Sequence, residues 1–177
     1  MRPALLIAAA LLCGGLYPAH AAERPIVVEL FTSQSCSSCP PAEALIGRLA
    51  HEPAGTRGDV LPLAFHVTYW NSLGWRDPYS LAAATERQAA YGSRLGETSF
   101  TPQAIVDGRV SLVGSRRSEV DAAIAEARSQ ARAAVPLAIR RAGAGLSLTV
   151  GAGSGEGRLL LIGFDREHTT AIGRGEN

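Results

Sequence analysis

The sequence contains no lysine. All 17 of its Lys+Arg positions are arginines, set against 16 acidic residues for a formal net charge of +1. The arginines are scattered with no basic block. That pattern offers neither the footprint of a nucleic-acid-binding face nor a patch suited to an anionic membrane. Aromatics are sparse at 6%, and there is one methionine. No stretch is apolar for long enough to span a bilayer. There is no second C-x-x-C to complete a zinc knuckle. What remains is a globular balance: 46% hydrophobic and 19% charged residues, with 19 glycines and ten prolines to make turns. A chain of 177 residues accommodates one domain and a short extension.

The first 21 residues read as a signal peptide. Arg2 supplies a small positive n-region, Ala4 to Leu16 an apolar run, and Ala19-His20-Ala21 the small residues at the two positions a signal peptidase reads. Cleavage is expected after Ala21, which places the mature protein in the periplasm or outside the cell. Leu12 stands before Cys13 where a lipobox needs a small residue, so lipidation at Cys13 is not expected. Loss of Arg2 takes the net charge from +1 to zero. Loss of Cys13 leaves two cysteines, Cys36 and Cys39.

The rest of the chain alternates in period. Ile26 to Phe31 is a β-branched, apolar run and reads as a buried strand. A polar loop, Thr32 to Cys39, leads to a helix marked by Ala42, Leu45, Ile46 and Leu49, with Pro40 and Pro41 in its first turn. Val60 to Tyr69 reads as a second strand. Asp77-Pro78 looks like an N-cap and first position opening a helix to about Tyr91, closed by Gly92 and Gly96. Gln103 to Val106 and Arg109 to Val113 are short strands around an Asp107-Gly108 turn. Ser118 with Asp121 resembles a capping box for a helix whose apolar face is Val120, Ala123, Ile124, Ala127 and Ala131. Beyond Pro136, the segments Leu137 to Arg141, Leu146 to Val150 and Arg158 to Phe164 read as strands between Gly-rich turns. The order β-α-β-α-β-β-α predicts an α/β fold with a mixed central sheet flanked by helices. The expected organisation is a signal peptide at 1–21, a domain at 22–135 and a small β extension at 136–177.

Chemistry points to Cys36-Ser37-Ser38-Cys39. A bridge over two intervening residues closes too short a loop to stabilise much, so the pair is better suited to reaction than to stapling. The partial positive charge at a helix N-terminus favours a thiolate. Cys36, farther out on the loop, is the expected attacking and more accessible sulfur; Cys39, in the first turn, is the resolving one. A disulfide or zinc staple is the plainer alternative. Thr101-Pro102, between a helix and a strand, is the second element. His66, in an apolar strand, reads as a hydrogen-bonded core residue or as a metal ligand. Trp70 and Trp75 flank a Gly-containing loop, where they wall a substrate cleft or pack on the sheet. His51 and His168 read as exposed loop residues without a role.

The order of elements, the C-x-x-C at the first helix and Thr101-Pro102 before the hairpin resemble the thioredoxin superfamily. The resemblance implies a thioredoxin-like fold, with Pro102 in cis against the cysteines. More narrowly, Glu29 to Gln34, Cys36 to Ala42, His66 to Trp70, Leu73 to Pro78 and Thr101 to Gln103 resemble the DUF1223 family, secreted bacterial proteins with a thioredoxin-like fold. The likeness covers about residues 26 to 175. Members of that family tend to carry Asp at the position of Thr68, a carboxylate suited to accept a proton, and to continue past the segment Gly173 to Asn177. The resemblance implies that the last β element extends further.

These readings lead to an exported thiol–disulfide oxidoreductase. Cys36 attacks, Cys39 resolves, Pro102 positions an extended substrate, and Thr101, Trp70 and Trp75 contact it. Its partners would be protein thiols or disulfides, or a redox partner protein, with no cofactor, no nucleic acid and no transmembrane segment. Two alternatives use the same residues: a copper-binding module with Cys36, Cys39 and His66 as ligands, since soft thiolates select copper(I), and a non-catalytic interaction domain.

Overall fold

A computed structural model of the chain describes residues 24–52, 60–130 and 135–173. The signal-peptide segment at 1–21 and Ala131 lie outside them. The element order is β1 (Ile26–Thr32), α1 (Pro40–His51), β2 (Val60–His66), α2 (Ala82–Leu95), β3 (Gln103–Val106), β4 (Val110–Val113), α3 (Arg117–Ser129), β5 (Leu137–Ala142) and β6 (Gly145–Val150).

β1 is central because its residues bury on both faces. The main sheet runs β2-β1-β3-β4, with β1 and β2 parallel and the other pairs antiparallel. Alternation sends Val28 toward α1 and α3, where it joins Leu45, Leu49, Ala104, Val106, Val120 and Ile124. It sends Phe31 the other way, onto Ile105 of β3 and Tyr91 of α2. The mixed sheet with helices on its faces is compatible with a thioredoxin-like fold. β2 is an edge strand, which is where a strand tolerates Pro62.

Local chemistry sets most boundaries. Pro40 and Pro41 occupy the first two positions of α1, and Ala42, Leu45 and Leu49 form its buried stripe. Asp107 (φ 50°) and Gly108 (φ 67°) both take left-handed angles in the β3–β4 turn, where Val106 pairs with Val110 across a link of residues 107–109. Gly96 ends α2 at φ 71°. Gly92 lies inside the last turn of α2, where a Cβ would meet the Glu97 carbonyl oxygen at 2.7 Å.

Several expectations are corrected. β2 stops at His66 rather than Tyr69. α2 opens at Ala82, not at Pro78, and runs on past Tyr91 to Leu95. Asp77 caps a turn instead, accepting from the Tyr79 amide at 2.9 Å, while its remaining oxygen is drawn away to other segments. α3 begins at Arg117 behind Arg116, with no side-chain cap. Ser118 and Asp121 therefore lie within the helix, and Asp121 pairs with Arg117 at 3.5 Å. β4 begins at Val110, one residue later than expected. β5 and β6 form the expected hairpin as a separate two-stranded sheet. The segment 158–164 joins neither sheet. Its apolar residues suit a strand, but a strand exists only where a ladder partner satisfies its backbone. His51 sits in the last turn of α1, its ring bonded to the Gly47 carbonyl.

One tight contact tests this packing. A Cβ at buried Gly114 would lie 2.7 Å from Leu30 Cδ1 and 3.3 Å from the Ala42 methyl. Leu30 is fully buried and cannot swing aside. Gly114→Ala is expected to destabilise the protein by about 1–3 kcal/mol, as overpacking does, in urea denaturation; an unchanged midpoint would contradict this packing.

Candidate functional site

The C-terminal end of β1 delivers the cysteine loop. The Cys36 amide bonds the Ser33 carbonyl at 3.1 Å, and the Cys39 amide bonds the Cys36 carbonyl at 3.1 Å. These turns bring the cysteine Cα atoms to 5.4 Å, and a disulfide joins them. Cys39 is the N-cap of α1. Its carbonyl accepts from Ala42 at 2.9 Å and Glu43 at 3.1 Å.

In the disulfide state both sulfurs are shielded from solvent. Cys36 is 1% exposed and Cys39 fully buried. Ser37 and Ser38 are the exposed residues of the loop. The Thr101 side chain lies against Cys36. The Thr101-Pro102 bond is cis, and Pro102 is buried, with its carbonyl accepting from Gly114 at 2.9 Å. The Thr101 hydroxyl donates to Cys36 Sγ at 3.3 Å. Ser38 Oγ lies 3.5 Å from the same sulfur.

Both tryptophans have their polar ends turned inward. Trp70 Nε1 donates to Thr101 Oγ1 at 2.8 Å. Trp75 Nε1 donates to Gln34 Oε1 at 2.9 Å, and its carbonyl accepts from Ser35 Oγ at 2.9 Å. Each indole fastens a part of the cysteine loop or its neighbour.

His66 takes the hydrogen-bonded role. Its Nδ1 lies 2.6 Å from Asp77 Oδ2, an oxygen that also accepts the Gln34 amide at 2.8 Å. Among the described residues, no three His, Cys, Asp or Glu side chains converge as a metal site. Cys36 and Cys39 are joined to each other in this structure, and His66 is bonded to Asp77. Thr68, which stands where the resemblance implies Asp in other members, shares a 3.0 Å hydrogen bond with Thr85.

Gln34 and Tyr79 have no role assigned from the sequence, and Asp77 reads there only as a helix N-cap. Only the position of Gln34 two residues before Cys36 hinted at a part in the site. Tyr79 packs edge-on to His66, with ring centroids 5.7 Å apart, and stacks on His168 at 4.5 Å. Thr170 Oγ1 donates to the Tyr79 hydroxyl at 3.1 Å. His168, given no role from sequence, thus helps lay the segment after 164 along this wall. On the opposite face of the sheet, buried Glu29 holds Arg87 through bonds of 2.6 and 2.7 Å and accepts from the Tyr91 hydroxyl at 2.7 Å. Burial first, then Glu29, pushes the Tyr91 phenol up to about 12.

A family model described as a protein of unknown function, DUF1223, matches residues 27–177. The chain belongs to this family. A crystal structure of a protein from Agrobacterium tumefaciens is similar to it, with 40% sequence identity and a TM-score of 0.61 over 76% of this chain. The chain spans 60% of that protein's length. No curated protein matches it.

In this DUF1223 protein the wall of the site is anchored at one carboxylate. Burial alone would push Asp77 up. Bonds from His66, the Gln34 amide and the Tyr79 amide outweigh it and hold the carboxyl below its ordinary value of 3.8. A lowered folded value stabilises the protein above that ordinary value, and the contribution is lost as the pH falls through the folded one. Asp77→Asn is therefore expected to lower stability at neutral pH by about 1–3 kcal/mol. The gap from the parent should narrow as the pH drops below 3.8. Thermal denaturation across an acid series checks this; a gap independent of pH would show that the charge of Asp77 is not what matters.

Proposed function

We propose that this protein is an exported thiol–disulfide oxidoreductase whose reacting atoms are the sulfurs of Cys36 and Cys39. The observation that carries the reading is a two-cysteine disulfide at the start of α1 whose Cys36 sulfur accepts a hydroxyl hydrogen bond from Thr101. A donor aimed at sulfur favours the thiolate form, which is both nucleophile and leaving group in exchange. The apolar N-terminal run and Ala19-His20-Ala21 support export.

The exchange balances without a cofactor. A substrate thiolate attacks Cys36 Sγ, the Cys36–Cys39 bond breaks, and Cys39 leaves as a thiolate that takes up a proton. A second substrate thiolate then attacks the substrate sulfur of the mixed disulfide, and Cys36 leaves with its electron pair. Two electrons pass from the substrate dithiol to the cysteine pair, and the two substrate protons end on the released thiols. Run in reverse, reduced Cys36 attacks a substrate disulfide and Cys39 resolves the mixed disulfide. The partner in either direction is a protein carrying a dithiol or a disulfide. Pro102 presents a face without an N–H beside the sulfurs.

Burial of both sulfurs favours a second reading, in which the bridge is a fixed staple in a non-catalytic interaction domain. Redox titration against glutathione decides between them. An exchange site should equilibrate with a potential above about −300 mV, whereas a structural bridge lies below it and resists the glutathione pool. A value below that limit would replace the enzyme reading with the staple. For export, N-terminal sequencing of protein recovered outside the cytoplasm should begin at Ala22; retention of the first residues would remove the export proposal.

A further inference from the structure

A helix N-terminus ordinarily turns its first amides toward an anion lying beside it. The first two residues of α1 are Pro40 and Pro41, which have no N–H to offer. The next two amides, of Ala42 and Glu43, are turned to the Cys39 carbonyl. Glu43 also places a carboxylate in the first turn, held at 2.6 Å by the Thr32 hydroxyl. The start of this helix is therefore poor in donors for a thiolate at Cys36.

Side-chain hydroxyls stand in their place. Thr101 Oγ1 lies 3.3 Å and Ser38 Oγ 3.5 Å from Cys36 Sγ. A threonine hydroxyl has one proton, and what it does with that proton depends on what else reaches its oxygen. Trp70 Nε1 reaches it at 2.8 Å, and an indole N–H can only donate. The lone pair side of Thr101 Oγ1 is thus occupied from one direction, and its proton points at sulfur. Tyr69, the titratable group that also approaches Thr101, has its phenol raised first by burial and donates to Gln88 Oε1 at 3.2 Å.

We propose that the Thr101 hydroxyl, in place of helix amides, stabilises the Cys36 thiolate in the reduced protein, and that Trp70 is the positioning residue that commits the hydroxyl proton to that sulfur. This role deepens the disulfide-exchange reading and rests on it for its use. Both ends of the relay come from loops distant in sequence that meet only in the fold, the link beyond β2 and the link between α2 and β3.

The test uses the reduced protein and follows the pH dependence of Cys36 alkylation by peptide mass mapping. Thr101→Val, which keeps the shape and removes the hydroxyl, should raise the midpoint by about one pH unit, in keeping with loss of a hydrogen bond to a charged group. Thr101→Ser should restore it. Trp70→Phe should raise the midpoint by less, and should add nothing in the Thr101→Val background, because Trp70 acts only through Thr101. An unmoved midpoint in Thr101→Val, or an undiminished Trp70→Phe shift in that background, would overturn the proposal. Should Trp70→Phe fail to fold, as judged by circular dichroism, the Val and Ser variants at Thr101 decide it: equal midpoints overturn the hydroxyl's role. The glutathione titration stands apart from this measurement. A low potential with the midpoint shifts intact sinks the exchange reading alone; a potential in the exchange range without them sinks the relay alone.

Discussion

A carboxylate sealed from water has to be met by donors, and Asp77 is met from three segments at once. Its side chain accepts from the Gln34 amide in the cysteine loop and the Tyr79 amide in its own turn, and bonds His66 at the end of β2. The backbone around it is held too: its amide donates to Asn71 Oδ1 at 3.1 Å, and its carbonyl accepts from Ser80 Oγ at 2.8 Å. Loss of that side chain would leave the loop amide and the turn amide without an acceptor in a dry place. The shape of the loop before Cys36 and the path of the chain after β2 are consequently one problem, solved at one side chain. Trp75 repeats the link through Gln34 and Ser35.

The two faces of the sheet divide the work. Toward α1 and α3 the contacts are aliphatic and close, as the space at Gly114 illustrates. Toward α2 they are polar under an aromatic cover. Glu29 is 3% exposed and its charge is answered by Arg87, which also lies 5.5 Å over the Phe65 ring and 5.4 Å over Tyr91. Gln88 and Gln103 bond each other at 2.8 Å in the same layer, and Gln88 reaches on to the Phe100 carbonyl at 2.7 Å. That last bond ties α2 to the chain just before Thr101. A buried amide makes this link directional in a way apolar packing would not, so the height of Thr101 above Cys36 is set from the α2 face.

The sequence made legible those features whose cause is local. Pro40-Pro41 suits only a helix start, Asp107-Gly108 suits a tight hairpin, and the β-branched, apolar run of β1 marks a buried strand. Asp77-Pro78 carries the right residues for a helix start, yet its carboxylate is claimed by His66 and Gln34, so the helix waits until Ala82. Ser118 and Asp121 fit a capping box, but the N-cap of α3 is Arg116, two residues earlier, and Asp121 pairs with Arg117 instead. The apolar stretch 158–164 has strand composition without a strand to pair with among the described residues. Cys36, Cys39 and Thr101 could be named from motif and order. Their geometry could not, because the Trp70 indole and the Thr101 hydroxyl are 31 residues apart and only tertiary packing joins them.

The burial of the cysteine pair and the prolines of α1 bear on each other. Amides at a helix start would hold a thiolate wherever the helix goes, since they belong to it. The Thr101 hydroxyl holds it only while the neighbouring loop is in place. Thr101 in turn sits next to Pro102, whose carbonyl is tied to Gly114 at the end of the β3–β4 hairpin. Stabilisation of charge at Cys36 is thereby linked to the packing of Gly114 against Leu30 and Ala42, beneath the site. Any movement of the neighbouring loop that uncovers Cys36 also moves the Thr101 donor, so access to the sulfur and stabilisation of its charge oppose each other. With amides at the first two positions of α1 the two would be independent; Pro40 and Pro41 remove that independence.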